Sequence, residues 1–142
     1  MSSILSSQHA GLGGRMGLVL FPSDGDTSSP DVSWSYSGFA AFRRRLAQAE
    51  GFVLSEMWGF GGERSWNEVS TVLKPLLDHP DDSGDDLSPA DCAAMLSRLE
   101  TITDQWALHG DDMVLHGHME DGRQLAAVLR LCIEKNVALH FL

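Results

Sequence analysis

The densest polar stretch of the chain lies between residues 77 and 86. Its carboxylates surround one histidine and one glycine, and they are Asp78, Asp81, Asp82, Asp85 and Asp86. Carboxylates at this spacing on a loop are typical of a site for a hard cation such as Ca²⁺. The EF-hand pattern fails, because placing Gly84 at its invariant glycine puts Ala90 where a bidentate glutamate is needed. We therefore interpret the stretch as a solvated acidic loop leading into a helix, whose dipole favours negative charge there.

A second group of residues with metal-binding chemistry is the pair His116 and His118. Two histidines two positions apart on an extended segment point to the same side and can share a zinc or nickel ion. His79 and nearby carboxylates would complete such a site if the loops converge. On a helix the two side chains diverge and the site is lost, and exposed histidines on a connecting loop are the alternative interpretation. A divalent metal is the one cofactor that the sequence leaves open.

The sequence shows no motif typical of nucleophilic catalysis or of phosphate binding. The sequence contains no GxSxG motif, and the glycines after Trp58 are not followed by Lys-Ser or Lys-Thr. Cys92 and Cys132 each lie inside an apolar helical stretch, so we expect buried, free and inert thiols. No catalytic residue is assigned, and the sequence favours a non-enzymatic protein.

Aromatic residues are concentrated in one third of the chain: Trp34, Tyr36, Trp58, Phe60 and Trp66. Trp58 and Phe60 alternate with glycines, and aromatic side chains beside flexible loops are frequent at protein interfaces. The alternative is that they fill the core of a small domain. If they form an interface, some of them are exposed.

The charge of the chain is unevenly distributed. The formal net charge is −10, and between residues 75 and 122 twelve acidic residues face the single base Arg98. Such a surface repels phosphate backbones, which argues against nucleic-acid binding and favours a basic protein, a cation or no partner at all. Arg43, Arg44 and Arg45 spread over most of a helical turn, and we expect them on a solvated face, with contact to a phosphate or an acidic partner as the alternative.

The elements that must position these residues follow from hydrophobic periodicity and capping signals. We predict strands at 16–21 and 137–142, and helices at 38–50, from Trp66, from Ser88 and at 121–135. The alternation at 32–36 indicates either a short strand or the lead-in to the first helix. Ser65, Ser88 and Asn136 are the expected caps. Pairing the terminal strands gives an α+β fold, a small sheet packed against three to four helices.

The chain length indicates one domain over residues 16–142, after a disordered N-terminal extension at 1–15. No apolar run approaches the length of a membrane span, and the N-terminus does not read as a secretory signal. We therefore expect a cytoplasmic protein that does not bind membranes. The oligomeric state is not readable from the sequence.

Four segments resemble landmarks of a family of short, uncharacterised bacterial and phage proteins. They are Met16-Gly17-Leu18, residues 34–44, Leu76-Leu77-Asp78-His79, and residues 87–92. In that family the segment after the histidine reads more like Ser-Asp-Cys-Asp-Gly, whereas here it is Pro80-Asp81-Asp82-Ser83-Gly84, which weakens a metal role for this loop. The resemblance spans most of residues 16–142 and implies a single domain of actinobacterial-like origin, without an activity.

Two functional hypotheses follow from these patterns. The first is a non-enzymatic interaction module whose acidic face binds a basic protein, as a small immunity or regulatory protein does, with Trp58 and Phe60 as further partner-binding residues. The second is a metal-dependent enzyme or metal-binding domain that uses His79, His116 and His118 with nearby carboxylates.

Overall fold

A computed structural model describes residues 17–79, 84–108 and 112–142. The chain forms an α+β fold, as predicted. In chain order its elements are strands β1 (Gly17–Pro22) and β2 (Val32–Ser35), helices α1 (Tyr36–Ala49), α2 (Lys74–Leu77), α3 (Pro89–Ala107) and α4 (Met113–Lys135), and strand β3 (Leu139–Phe141). The proposed extension at 1–15 and the candidate site residues Asp81 and Asp82 lie outside the described residues.

The three strands form one antiparallel sheet in the order β2-β1-β3. Leu18 pairs with Trp34 on one side of β1, and Leu20 pairs with Phe141 on the other. The pairing of the two terminal strands is thus confirmed. Alternate residues of β1, including Leu18 and Leu20, are buried, because successive side chains of a strand point to opposite faces.

The helices bury their apolar stripes against each other and against this sheet. Phe39, Phe42 and Leu46 of α1 are buried, as their spacing predicts. Helices α3 and α4 pack closely along their lengths, and α4 also packs on β1 and β2. The expected free thiols of Cys92 and Cys132 are both buried. They lie in hydrogen-bond contact across the α3–α4 interface, which together with burial raises the pKa of the Cys92 thiol.

The capping signals place the helix ends. The Ser88 hydroxyl accepts a hydrogen bond from the Asp91 amide at 3.1 Å, and Asn136 adopts the left-handed conformation with φ of 55°. Ser65 caps only a 3-10 turn, Trp66–Glu68, so the longer helix predicted from Trp66 is wrong. Val72, six residues after Trp66, is exposed.

Helix α4 begins eight residues before the predicted start. The Asp112 carboxylate accepts hydrogen bonds from the amides of Val114 and Leu115 and caps the helix at Met113. The segment that contains His116 and His118 is therefore helical and not extended.

Arg43 contradicts the prediction of a solvated arginine face, since only 3% of it is exposed. Its guanidinium donates hydrogen bonds to the backbone carbonyls of Leu76, Leu77 and His79. It also lies over the Phe39 ring at 4.4 Å from the ring centroid. The physical reason is that the last carbonyls of a helix have no partner within it, so the end of α2 offers acceptors to a buried cation.

Candidate functional site

Residues 50–73, between α1 and α2, form the central loop of the chain. Trp58 is an exposed aromatic residue of this loop, with 69% of its surface accessible. The other three tryptophans, Trp34, Trp66 and Trp106, are buried. Phe60 is half-buried and packs on the Trp66 ring at 5.9 Å between centroids. Of the two loop aromatics assigned to partner binding, Phe60 therefore supports the loop and Trp58 is the one presented to solvent.

Backbone contacts hold the loop around Trp58. The Trp58 amide donates to the Arg64 carbonyl at 2.8 Å, and the Trp66 indole donates to the Trp58 carbonyl at 3.0 Å. A Cβ on Gly62 would lie 2.1 Å from the backbone oxygen of Glu56, so only glycine permits this close approach. The backbone that carries the exposed indole is thus held in place, which lowers the entropy cost of binding a partner through Trp58.

A surface depression of about 470 Å³ adjoins Trp58, and we call it the Trp58 depression. Arg43 and Arg44 of α1 line one side, and Ser55 and Phe60 of the central loop line another. Arg44 is exposed and forms no ion pair with any residue in the described part of the chain. The arginine run is visible in the sequence, but the position of Arg44 beside Trp58 depends on the fold.

A second depression of about 510 Å³ lies next to the first, and we call it the acidic depression. Its charged lining residues are Lys74, Asp78, Asp85, Asp86 and Asp91. Asp78 and His79 line both depressions, so the two form one continuous surface. Six candidate site residues meet on it: Trp58, Phe60, Asp78, His79, Asp85 and Asp86. Asp91, in the first turn of α3, joins them.

Contacts between segments that are distant in sequence position the acidic depression. Leu87 and Leu139 exchange two backbone hydrogen bonds of 3.0 and 2.8 Å, which tie the segment before α3 to strand β3. The buried His79 ring stacks on Phe141 at 3.6 Å between centroids, and its Nε2 lies 2.7 Å from the Asp85 carbonyl oxygen. His79 therefore braces the segment that carries the aspartates.

Among the described residues, most carboxylates of the acidic depression form no ion pair, although Lys74 and Arg43 lie near Asp78. Asp78, Asp85 and Asp91 form no ion pair with any residue that the structure describes. Burial raises the pKa of the Asp78 carboxyl, while the nearby Lys74 opposes this shift. Asp86 contacts the His140 ring at 2.6 Å. The local negative field is thus available to an external partner.

The two remaining metal candidates do not share a site in this fold. Because α4 includes both residues, His116 and His118 point in different directions. His116 is exposed near Glu120 at 3.7 Å, whereas the His118 ring packs against Phe42 and Trp106. Among the residues that the structure describes, no group of three or more potential ligands is placed to hold a metal ion.

His118 gives the protein a specific pH dependence. Burial lowers its pKa, and Arg45 acts in the same direction, while Asp121 and Asp112 oppose them. The unfolded chain then binds this proton more readily, so the contribution of His118 to stability is constant above the unfolded pKa of about 6.5 and falls as the pH drops below it.

We expect the free energy of unfolding to decrease between pH 7 and pH 5, and to decrease less in a His118→Phe variant. Urea denaturation at a series of pH values measures this. His116→Gln, at an exposed position of the same helix, is the control. A slope that His118→Phe leaves unchanged would contradict the assignment.

Comparison of the chain with models of known protein families, with curated proteins and with solved structures finds no match. The resemblance to short bacterial and phage proteins therefore stays an expectation. None of the helices in the described part of the chain combines the length and apolar character of a membrane span.

Proposed function

We propose that this chain is a non-enzymatic, cytoplasmic interaction module that binds a basic protein segment, in the manner of a small immunity or regulatory protein. The observation that carries the proposal is the continuous surface on which the exposed Trp58 adjoins Asp78 and Asp85, two carboxylates that form no ion pair among the described residues. The acidic depression takes lysine or arginine side chains, and Trp58 provides the aromatic anchor.

The energetics of interfaces support this division of roles. A few buried aromatic or arginine anchors supply most of the binding free energy, and tryptophan is the residue type most enriched among them. Charges around the anchor accelerate association and select partners of opposite sign. A guanidinium stacked on the Trp58 indole would add a cation–π contact of about 0.5–2 kcal/mol. The fixed loop backbone keeps the anchor in place before the partner arrives.

Metal binding by His79, His116 and His118 stays a prediction from the sequence. No contact among the described residues favours it, because each of these histidines has a different environment. We therefore propose no second function.

Photo-cross-linking from position 58 tests the proposal. A photoreactive amino acid replaces Trp58 in one variant and Val114, an equally apolar and exposed position on α4, in the control. We expect a basic protein to be cross-linked from position 58 and not from position 114. Combining the position-58 variant with Asp78→Lys and Asp85→Lys removes the product if the acidic depression takes part. Equal labelling from both positions, or labelling that survives the charge reversals, would contradict the proposal.

A further inference from the structure

A third cavity, of about 290 Å³, lies between strand β1 and the loop of residues 22–31, and it shares no lining residue with the two depressions above. Val19, Phe21 and Leu142 supply apolar walls. Val19 and Phe21 belong to the alternate set of β1 residues that does not enter the core. Its volume is at the lower end of the roughly 300–1,000 Å³ of small-molecule sites, so a ligand here must be small.

Two of the three carboxylates that line this cavity, Asp24 and Asp26, already accept hydrogen bonds from other groups of the protein. Asp24 accepts hydrogen bonds from the Lys135 ammonium at 2.8 Å and from the Ser29 hydroxyl at 2.6 Å. Asp26 accepts from the amide and hydroxyl of Ser28. These contacts lower the pKa of both carboxyls and fix the shape of the loop. Both carboxylates are hydrogen-bonded within this region, and they share the Lys135 ammonium, which lies 3.9 Å from the Asp26 carboxylate.

Asp31 differs from both. Its pKa is raised, and burial is the sole cause. Within the described ranges, no cation or hydrogen-bond donor meets its carboxylate, although its backbone carbonyl accepts a hydrogen bond of 2.9 Å from the Gln124 amide. A partly desolvated carboxylate without a partner is unfavourable, and a cation placed against it relieves that cost.

We propose that this cavity binds a small organic ammonium ion, whose charged nitrogen pairs with Asp31 and whose apolar body packs on Val19, Phe21 and Leu142. The apolar walls offer no ligands to a hydrated metal ion, and the carboxylates around the cavity repel an anion. The site is independent of the docking surface for a basic protein.

Binding of phenethylammonium, followed by amide chemical shifts of the full chain at pH 7, tests this site. The neutral 2-phenylethanol has nearly the same shape and lacks the charge. We expect saturable shifts around Val19 and Asp31 with the ammonium, and at least tenfold weaker binding of the alcohol. This comparison needs no variant, so it does not depend on whether a substitution folds.

Two substitutions sharpen the test. Asp31→Asn keeps the size of the side chain and should weaken binding of the ammonium at least tenfold. Asp121→Asn is the matched control, because that carboxyl is also partly buried with a raised pKa but lies on α4, bonded to the Trp34 indole. Absence of saturable binding, equal affinity for the two ligands, or an unchanged affinity of Asp31→Asn would overturn the proposal. Each of these results leaves the docking surface around Trp58 unaffected.

Discussion

Replacing Arg43 with methionine is expected to lower the free energy of unfolding by about 3–5 kcal/mol. Methionine keeps much of the apolar stem but leaves the carbonyls of Leu76, Leu77 and His79 without the donor that now reaches them. A buried acceptor left without a partner costs about 1–3 kcal/mol. Urea denaturation measures the change.

The neighbouring Arg44→Met variant is the control for this prediction. Arg44 is exposed, and surface substitutions of this kind usually change stability by less than about 0.5 kcal/mol. Arg43 also lies under the Trp58 depression, so a partly folded Arg43→Met protein should lose partner binding as well. Equal and small effects at positions 43 and 44 would show that Arg43 does not hold the end of α2.

Replacing Gly122 with alanine is expected to destabilise the protein by about 1–3 kcal/mol. An alanine Cβ at this position would lie 2.4 Å from the Cγ2 methyl of Thr103, across the α3–α4 interface. Thr103 is buried and β-branched, and its hydroxyl donates to the Glu100 carbonyl at 3.0 Å, so the methyl cannot rotate away without breaking that bond. Thermal and urea denaturation measure the loss.

Gly117 provides a control of opposite sign on the same helix. A Cβ there meets nothing within 4 Å. Because alanine has the higher helix propensity, Gly117→Ala should stabilise the protein by about 0.5–1 kcal/mol. Adding Thr103→Ser to Gly122→Ala removes the obstructing methyl and should restore much of the lost stability. If the two glycine substitutions have the same sign, the close approach of α3 and α4 at Gly122 is wrong.

Local signals predicted the elements that have strong patterns of their own. Ser88-Pro89 marked the start of α3, Asn136 marked the end of α4, and two short apolar runs marked β1 and β3. The pairing of β1 with β3 followed because each run is too short and too apolar to stand alone. These predictions rest on residues close together in the chain.

Two errors have separate physical causes, one distant in sequence and one local. Arg43 was expected in solvent because of its charge, yet it lies four residues after Phe39 and three before Leu46, on the apolar face of α1. The acceptors that make its burial favourable come from α2, more than thirty residues away. Gly117 and the two histidines obscured the first turns of α4, although Asp112 was a readable cap.

The candidate site was predictable in its residues but not in its arrangement. Trp58 and the aspartates were selected by type and local density. Their union into one surface depends on the Leu87–Leu139 bridge and on the stacking of His79 on Phe141. Such contacts join segments that are distant in sequence, and no local pattern encodes them. The cavity at Asp31 was missed for the same reason.

The dissociation constant of the cross-linked basic partner, measured for two matched double variants, tests the docking surface most directly. Asp78→Lys/Asp85→Lys reverses two exposed charges at the acidic depression. Glu120→Lys/Glu134→Lys makes the same change in net charge on α4, outside both depressions. The proposed surface requires at least a tenfold weaker affinity in the first variant and a much smaller change in the second. Equal losses in both would show that only net charge matters, and would contradict a defined binding site around Trp58 and Asp78.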